Sequence, residues 1–367
     1  MQNYKVQRWS RASLFSTVLI AVLPLALLAG PFIFSANIVS HLTTLFIYVL
    51  LAVTWNALAG YGGLISVGQQ VFFGFGAYAA IRLSQAGIPV YVALILGGIV
   101  AAFLALIVSG FMLRLRDGEF AIGMWVLATL VRLLVCLDPI VQGDTGTSLL
   151  ALNHFTPAAR LADTYWFGLI AMAGITLLLF LLLRSRLGVA MQAIRDNEDA
   201  ARSVGVRVQF TKRIMFVLAA LGAGMAGAVW LAGSISFQPD TYFGVQWTAY
   251  MLFMTLVGGI GTFEGPILGA ILFFIIEASF GAEGVWYLIG IGAAAVGFAL
   301  LLPKGIWGTL QYRYHIRLLP VGYALNLKDT IMGHQRGFGR RSGSHSSSFP
   351  PSSEMRISDD PVSSRLQ

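Results

Sequence analysis

From Val90 to Leu113 the chain runs without a single charged side chain, and similar apolar runs recur along most of its length. A helix needs about 20 mainly apolar residues to cross the hydrocarbon layer of a bilayer. Runs of that character fall near 13–34, 38–59, 71–86, 90–113, 119–137, 165–183, 214–233, 247–262, 266–281 and 285–302. Lipid offers no partner to backbone N–H and C=O groups, so each run predicts a helix that satisfies its own. The predicted fold class is all-α, a polytopic helical membrane protein of about ten transmembrane helices (eight to ten), some of them glycine-broken or re-entrant. Composition excludes the soluble alternative. Only 11% of the 367 residues are charged, against roughly 25% in an average soluble domain, too few to cover a soluble surface of that size.

Basic residues set the expected orientation, because Lys and Arg concentrate in cytoplasmic loops. With the N-terminus inside, the cytoplasmic side receives Lys5, Arg8 and Arg11; Arg114 and Arg116; a group from Arg184 to Arg213; and Lys304, Arg313 and Arg317. Little beyond Arg82 and Arg160 falls outside. The first run follows basic residues and ends near Ala26, Ala29 and Gly30, somewhat like a secretory signal. Its length and the spans that follow favour an uncleaved anchor. The expected organisation is a cytoplasmic N-terminus (1–12), a membrane domain (13–310) and a cytoplasmic tail (311–367). The membrane domain carries an external loop at 138–164 and a cytoplasmic loop at 184–213. From 333 the tail is Ser, Gly, Pro and Arg, and disorder is expected there because it cannot bury enough apolar surface. Its basic stretch from Arg336 to Arg341 could meet anionic lipid, although a solvated tail is the simpler reading.

Several chemistries are excluded. The lone Cys136 rules out a disulfide framework or a cysteine-based zinc site, and the five histidines never fall at metal-ligand spacing. No metal or other cofactor is expected. The net charge of +8 is distributed between apolar runs rather than along one patch, so nucleic acid is not the expected partner; membrane lipid is. None of Lys5, Lys212, Lys304 and Lys328 follows a glycine. A phosphate-binding Gly-x4-Gly-Lys-Ser/Thr loop is therefore impossible in this chain, and any ATP hydrolysis belongs to another polypeptide.

Two stretches carry more glycine than a lipid-facing helix requires. One contains Gly62, Gly63, Ser66, Gly68, Gln69 and Gln70; the other contains Gly258, Gly259, Gly261 and Thr262 before Gly265-Pro266. Paired glycine-interrupted segments mark substrate pathways in transporters. Tight helix packing through small residues, as at Gly222 with Ala226, is the plainer explanation. Ser66, Gln69 and Gln70 tilt the first stretch toward a polar lining, because amides are costly against lipid. Arg132 is expected to snorkel toward the outer interface. Glu119, Glu277 and Glu283 are expected at interfaces, and His41 and Asn56 are read as helix–helix hydrogen-bonding groups.

The 184–213 loop predicts a helix, a break and a short second helix. Val189, Ala193 and Ile194 recur at helical spacing, Asp196 is the expected N-cap with Asp199 at the capping-box distance, and Gly205 is the expected stop. With Ala200 and Ala201 outward, the second helix has a shape suited to a partner's cleft; a solvated connecting hairpin is the alternative.

Asp199-Ala200-Ala201 followed by Gly205 resembles the EAA-x3-G loop of ABC-importer permeases, with Asp in place of Glu. Four features in order resemble the LivM-type permease subunit of branched-chain amino-acid ABC importers. They are Gly63 to Gly68 with Phe72 to Tyr78; Gly188 with Ala193 to Glu198 and Ala200-Ala201; the small-residue run Ala219 to Gly227; and Gly258 to Thr262 with Gly265-Pro266 and Leu268 to Ala270. The likeness covers about 35–310. Gln69 departs from it, since the family usually has histidine there, and Gly143 to Thr147 matches the family's external loop only loosely.

The resemblance implies a non-enzymatic transport subunit of a bacterial inner membrane. Implied partners are a second, LivH-type permease subunit, two P-loop ATPase subunits and a periplasmic solute-binding protein. It implies an ATPase-coupling loop at Gly188, Ile194, Arg195, Asp196, Asn197, Glu198, Asp199, Ala200, Ala201 and Gly205. The implied cargo is a branched-chain or other hydrophobic amino acid, with urea or a short-chain amide as the nearest alternative. An ion-gradient-driven carrier is the competing class; it requires mid-membrane carboxylates.

Overall fold

The computed structural model of the chain describes residues 6–7, 22–302, 304–314 and 324–325. The expectations for most of the N-terminus, the first half of the first run and the tail beyond 314 lie outside the described residues. Val6–Gln7 pairs antiparallel with Ala324–Leu325 in a unit of its own.

Apart from a two-residue strand pair and short helical turns such as Gly30–Ile33 and Pro239–Tyr242, the rest is built of longer helices. In order come α1 (Ala36–Asn56), α2 (Gln70–Gln85), α3 (Val90–Met112), α4 (Asp117–Cys136), α5 (Pro157–Arg184), α6 (Arg186–Asp196), α7 (Glu198–Ser203), α8 (Val208–Ser234), α9 (Gln246–Gly258), α10 (Gly265–Phe280), α11 (Val285–Leu301) and α12 (Gly305–Tyr314). Every apolar run from 38 onward holds a helix. Six described helices are long and apolar enough to cross a membrane: Ala36–Tyr61, Val90–Met112, Gly118–Cys136, Pro157–Arg184, Val208–Ser234 and Trp286–Gln311. The others fall short. At 1.5 Å per residue α2 and α9 reach about 24 and 20 Å, less than the roughly 30 Å of a hydrocarbon core. The expected loop at 138–164 is also shorter than its sequence implied. Pro157 opens α5, and the Thr156 hydroxyl caps it by accepting from Ala159 N.

The core is built on small residues. A Cβ on Gly76 would fall on the Gly224 backbone, one on Gly97 on the Gly76 carbonyl, and one on Gly227 on the Phe73 carbonyl. These positions let α2, α3 and α8 approach backbone to backbone, where dispersion and interhelical contact replace the hydrophobic effect that lipid cannot supply. Aromatic rings fill the wider gaps, with Phe73 and Trp247 4.2 Å apart and Phe72 edge-on to Phe216 at 5.4 Å.

The two short helices, α2 and α9, meet each other. After α1 the chain makes a π turn over Ala57–Tyr61 and then runs without regular structure to Gln69. Gly68 lies against Met124 and Trp125, about 12 Å along α4 from its start. There α2 begins, and it ends near the 147–148 loop at the opposite side of the molecule. After α8, Ser236–Phe237 pairs with Thr147–Ser148 on that opposite side, and a helical turn at Pro239–Tyr242 leads to α9. Gln70, first in α2, accepts from the Thr248 hydroxyl in the opening turn of α9. The two short helices thus meet at their first turns.

Candidate functional site

The arginine-rich end of the molecule gathers both glycine-broken segments and the α6–α7 hairpin. Ser185, extended at ψ 178, turns the chain out of α5, and its hydroxyl accepts from Leu187 N at 3.2 Å. Gly188 is packed directly on the Leu183 backbone. Met191 (fully buried) and Ile194 face inward, whereas Val189 is 46% exposed. The buried stripe is therefore Gly188, Met191 and Ile194, not the Val189-based one expected from periodicity.

The break between α6 and α7 differs from expectation. Asn197, not Asp196, is the N-cap: its backbone is extended and its Oδ1 accepts from Ala200 N at 2.9 Å. Asp196 closes α6 and is held by Arg195 Nη2 at 2.9 Å, so it is not free to cap. The stop is as expected. Gly205, at φ +90, donates to Arg202 O, and Val206 donates to Ala201 O, the paired bonds of a Schellman end. Only Ala200 faces outward; Ala201 is buried at 3% exposure.

Glu198 faces the membrane domain. It accepts from Lys212 Nζ and from Arg202 at 3.0 Å. Burial works against its charge, but the Lys212 hydrogen bond and charge, with Arg116 and Arg202 behind, hold its carboxyl below the usual value. Asp199 points outward, its side chain 73% exposed, with Arg116 4.0 Å away.

Arg195 links the hairpin to the glycine segments. Its Nη1 donates to the Gly60 carbonyl at 2.9 Å, which the π turn leaves accessible. Gly62 lies on Met191, and Gly63 (φ +69) lies against the Arg195 side chain and backbone. Asn56, at the end of α1, spans to the second break. Its Nδ2 donates to Thr262 O and its Oδ1 accepts from Gly261 N, both at 2.8 Å. Gly258 packs on Gly265, and Gly259 lies beside Gly308 and Lys304. The Thr262 hydroxyl donates to Gly259 O and accepts from Gly265 N within its own turn. These bonds shape the break. A polar pocket of about 300 Å3 lies between Gly63, Arg116, Arg195, Glu198 and Lys212.

Deeper in, Ser66, Gln69 and Gln70 are enclosed, at 0%, 0% and 1% exposure. The Ser66 carbonyl accepts from Trp55 Nε1 at 3.0 Å, and Gln70 is taken by Thr248. Both amide atoms of Gln69 are buried without a hydrogen-bond partner among the described residues, an expensive arrangement for an amide.

Three residues matter more than their sequence pattern indicated. Asn56 ties one break to the other, Lys212 anchors the hairpin, and Met191 fills the contact with Gly62. Glu277, expected at an interface, is half-buried and accepts from Tyr48 OH at 2.5 Å, because α1 packs along α10. Arg132 does reach the far side, where it pairs with Asp144 at 2.8 Å and Asp240 at 3.4 Å.

The family model described as "branched-chain amino acid transport system / permease component" matches residues 37–303, which is most of the chain and contains every element of this joint. The chain belongs to that permease family. Among its relatives, the high-affinity branched-chain amino acid transport system permease protein LivM of Escherichia coli is 29% identical over 315 residues, 78% of this chain and 74% of that protein. LivM of Salmonella typhimurium is 26% identical over 319 residues, with the same coverage. The ribose import permease protein RbsC of E. coli is 28% identical over 193 residues, 48% of this chain and 59% of that protein. As a member of a permease family, the chain is a membrane transport component.

Proposed function

We propose that this permease is the membrane conduit of an ABC importer for branched-chain or other hydrophobic amino acids, driven by ATP that two separate P-loop subunits hydrolyse. It stands beside a second, LivH-type permease in the bacterial inner membrane and receives solute from a periplasmic binding protein. The arginine-rich end, with both termini, is cytoplasmic; the chain crosses about ten times, and α2 and α9 serve as complementary partial crossings. The pathway follows the non-helical stretches, with Ser66, Gln69 and Gln70 as its polar wall. Each ATPase holds the outer face of α6–α7 at Asp199 and Ala200. The relatives named for branched-chain amino acids, which cover the greater share of the chain, support the cargo.

One observation carries the mechanism: Arg195 grips the Gly60 carbonyl, and Asn56 grips Gly261 and Thr262. A displacement of α6–α7 therefore acts on both irregular segments at once, as in a rigid-element rearrangement of alternating access. In a reconstituted complex, Arg195→Ala and Asn56→Ala should leave ATP hydrolysis running while solute uptake per ATP falls at least tenfold. Asp199→Arg should instead weaken ATPase binding. Undiminished uptake per ATP in both joint variants removes the coupling role.

A further inference from the structure

Glu277 is the single titratable residue in α10, a helix otherwise built of apolar and small residues. Its Oε1 accepts one hydrogen bond, from Tyr48, itself 1% exposed. No Lys, Arg or His among the described residues forms an ion pair with it. His41, two turns along α1, is an electrostatic neighbour but stacks edge-on to Phe274 at 6.0 Å. A half-buried carboxylate with one neutral donor has unmet capacity for a cation.

Its surroundings are aromatic. Tyr48 and Tyr250 flank Phe273, with ring centroids at 5.0 and 4.7 Å, and Tyr250 and Tyr287 both lie within electrostatic reach of Glu277. The Tyr287 hydroxyl is buried and has no hydrogen-bond partner among the described residues. Beside Tyr287 opens a largely apolar cavity of about 280 Å3, walled by Phe253, Trp286, Ile291 and Ala294, with the exposed Glu283 at its edge. Carboxylate, phenol oxygens and ring faces together suit an ammonium head, and the adjoining apolar cavity suits a short aliphatic group.

We propose that Glu277, with Tyr250 and Tyr287, forms a recognition site for a primary ammonium that carries a short aliphatic chain. This rests on the transport reading only in assigning that ammonium to the amino group of the cargo. The competing explanation is that Glu277 merely ties α10 to α1 through Tyr48.

The test uses the purified full chain in lipid nanodiscs, with intrinsic fluorescence, to which Trp286 contributes, titrated with 3-methylbutylammonium and with neutral 3-methylbutanol. The expected result is a saturable change with the ammonium and none with the alcohol. Affinity should fall at least tenfold in Glu277→Gln, which keeps the size and an acceptor for Tyr48, and change less than twofold in Tyr48→Phe, which removes the tie but keeps the charge. Tyr287→Phe should weaken binding at least threefold, a second readout if Glu277→Gln fails to insert. No saturable change in the unaltered chain, an equal response to the alcohol, or unaltered affinity in Glu277→Gln or in Tyr287→Phe overturns the proposal. ATP plays no part in this readout, so failure of the importer reading would show separately, as uptake that does not need ATP.

Discussion

Glu198 and Asn56 show how single side chains hold the arginine-rich end together. The Glu198 carboxyl sits below its ordinary 4.5 because Lys212 and its arginine neighbours outweigh burial. Its contribution to stability is then complete above 4.5 and is lost as pH falls below that value and through the lowered folded one. Hydrogen-exchange protection over 198–206, taken relative to the intrinsic exchange rate at each pH, should be flat from neutral pH down to the ordinary carboxyl value and fall below it; Lys212→Met should abolish that acid step. Asn56→Ala leaves the Gly261 N–H and the Thr262 carbonyl without their partner, a cost of about 1–3 kcal/mol for each group that stays buried, readable as a lower melting temperature in detergent. Asn56 was legible as a polar residue on an apolar helix, but its target was not, because its partners lie more than two hundred positions away in sequence. Lys212 looked like one more positive-inside charge. Only the packing of α7 on the first turn of α8 makes it a buried ion-pair partner, at 5% exposure.

At the scale of elements, the sequence marked the breaks and missed their arrangement. Glycine runs at 60–68 and 258–265 announced interruption, since glycine tolerates both irregular backbone and close approach. They could not announce that α2 and α9 would meet at their first turns, where Gln70 takes the Thr248 hydroxyl. The hairpin was legible as two helices, but its cap was displaced by one residue because Arg195 takes the Asp196 carboxylate. Asn197→Ala should therefore destabilise α7 by about 1 kcal/mol and raise proteolysis between 197 and 206, whereas Asp196→Ala should leave α7 protected. In the core, Gly227→Leu drives a side chain onto the Phe73 carbonyl. Overpacking of that kind costs about 1–3 kcal/mol, and the variant should accumulate poorly as folded protein, measured by size-exclusion recovery.

For the whole molecule, the governing fact is an apolar chain without a phosphate-binding loop, whose first irregular segment is tied to the hairpin by Arg195 and whose second is tied to the end of α1 by Asn56. Membership of the permease family makes it a transport component, and the absence of any Gly-Lys pair supports the proposal that partner subunits supply its energy. The most direct measurement is solute uptake into proteoliposomes that hold this chain with its second permease, ATPase subunits and binding protein. Uptake should require internal or external ATP on the ATPase side and the binding protein on the other, and should persist when proton and sodium gradients are collapsed. Uphill uptake by the chain alone, driven by an ion gradient with no ATP present, would contradict the account.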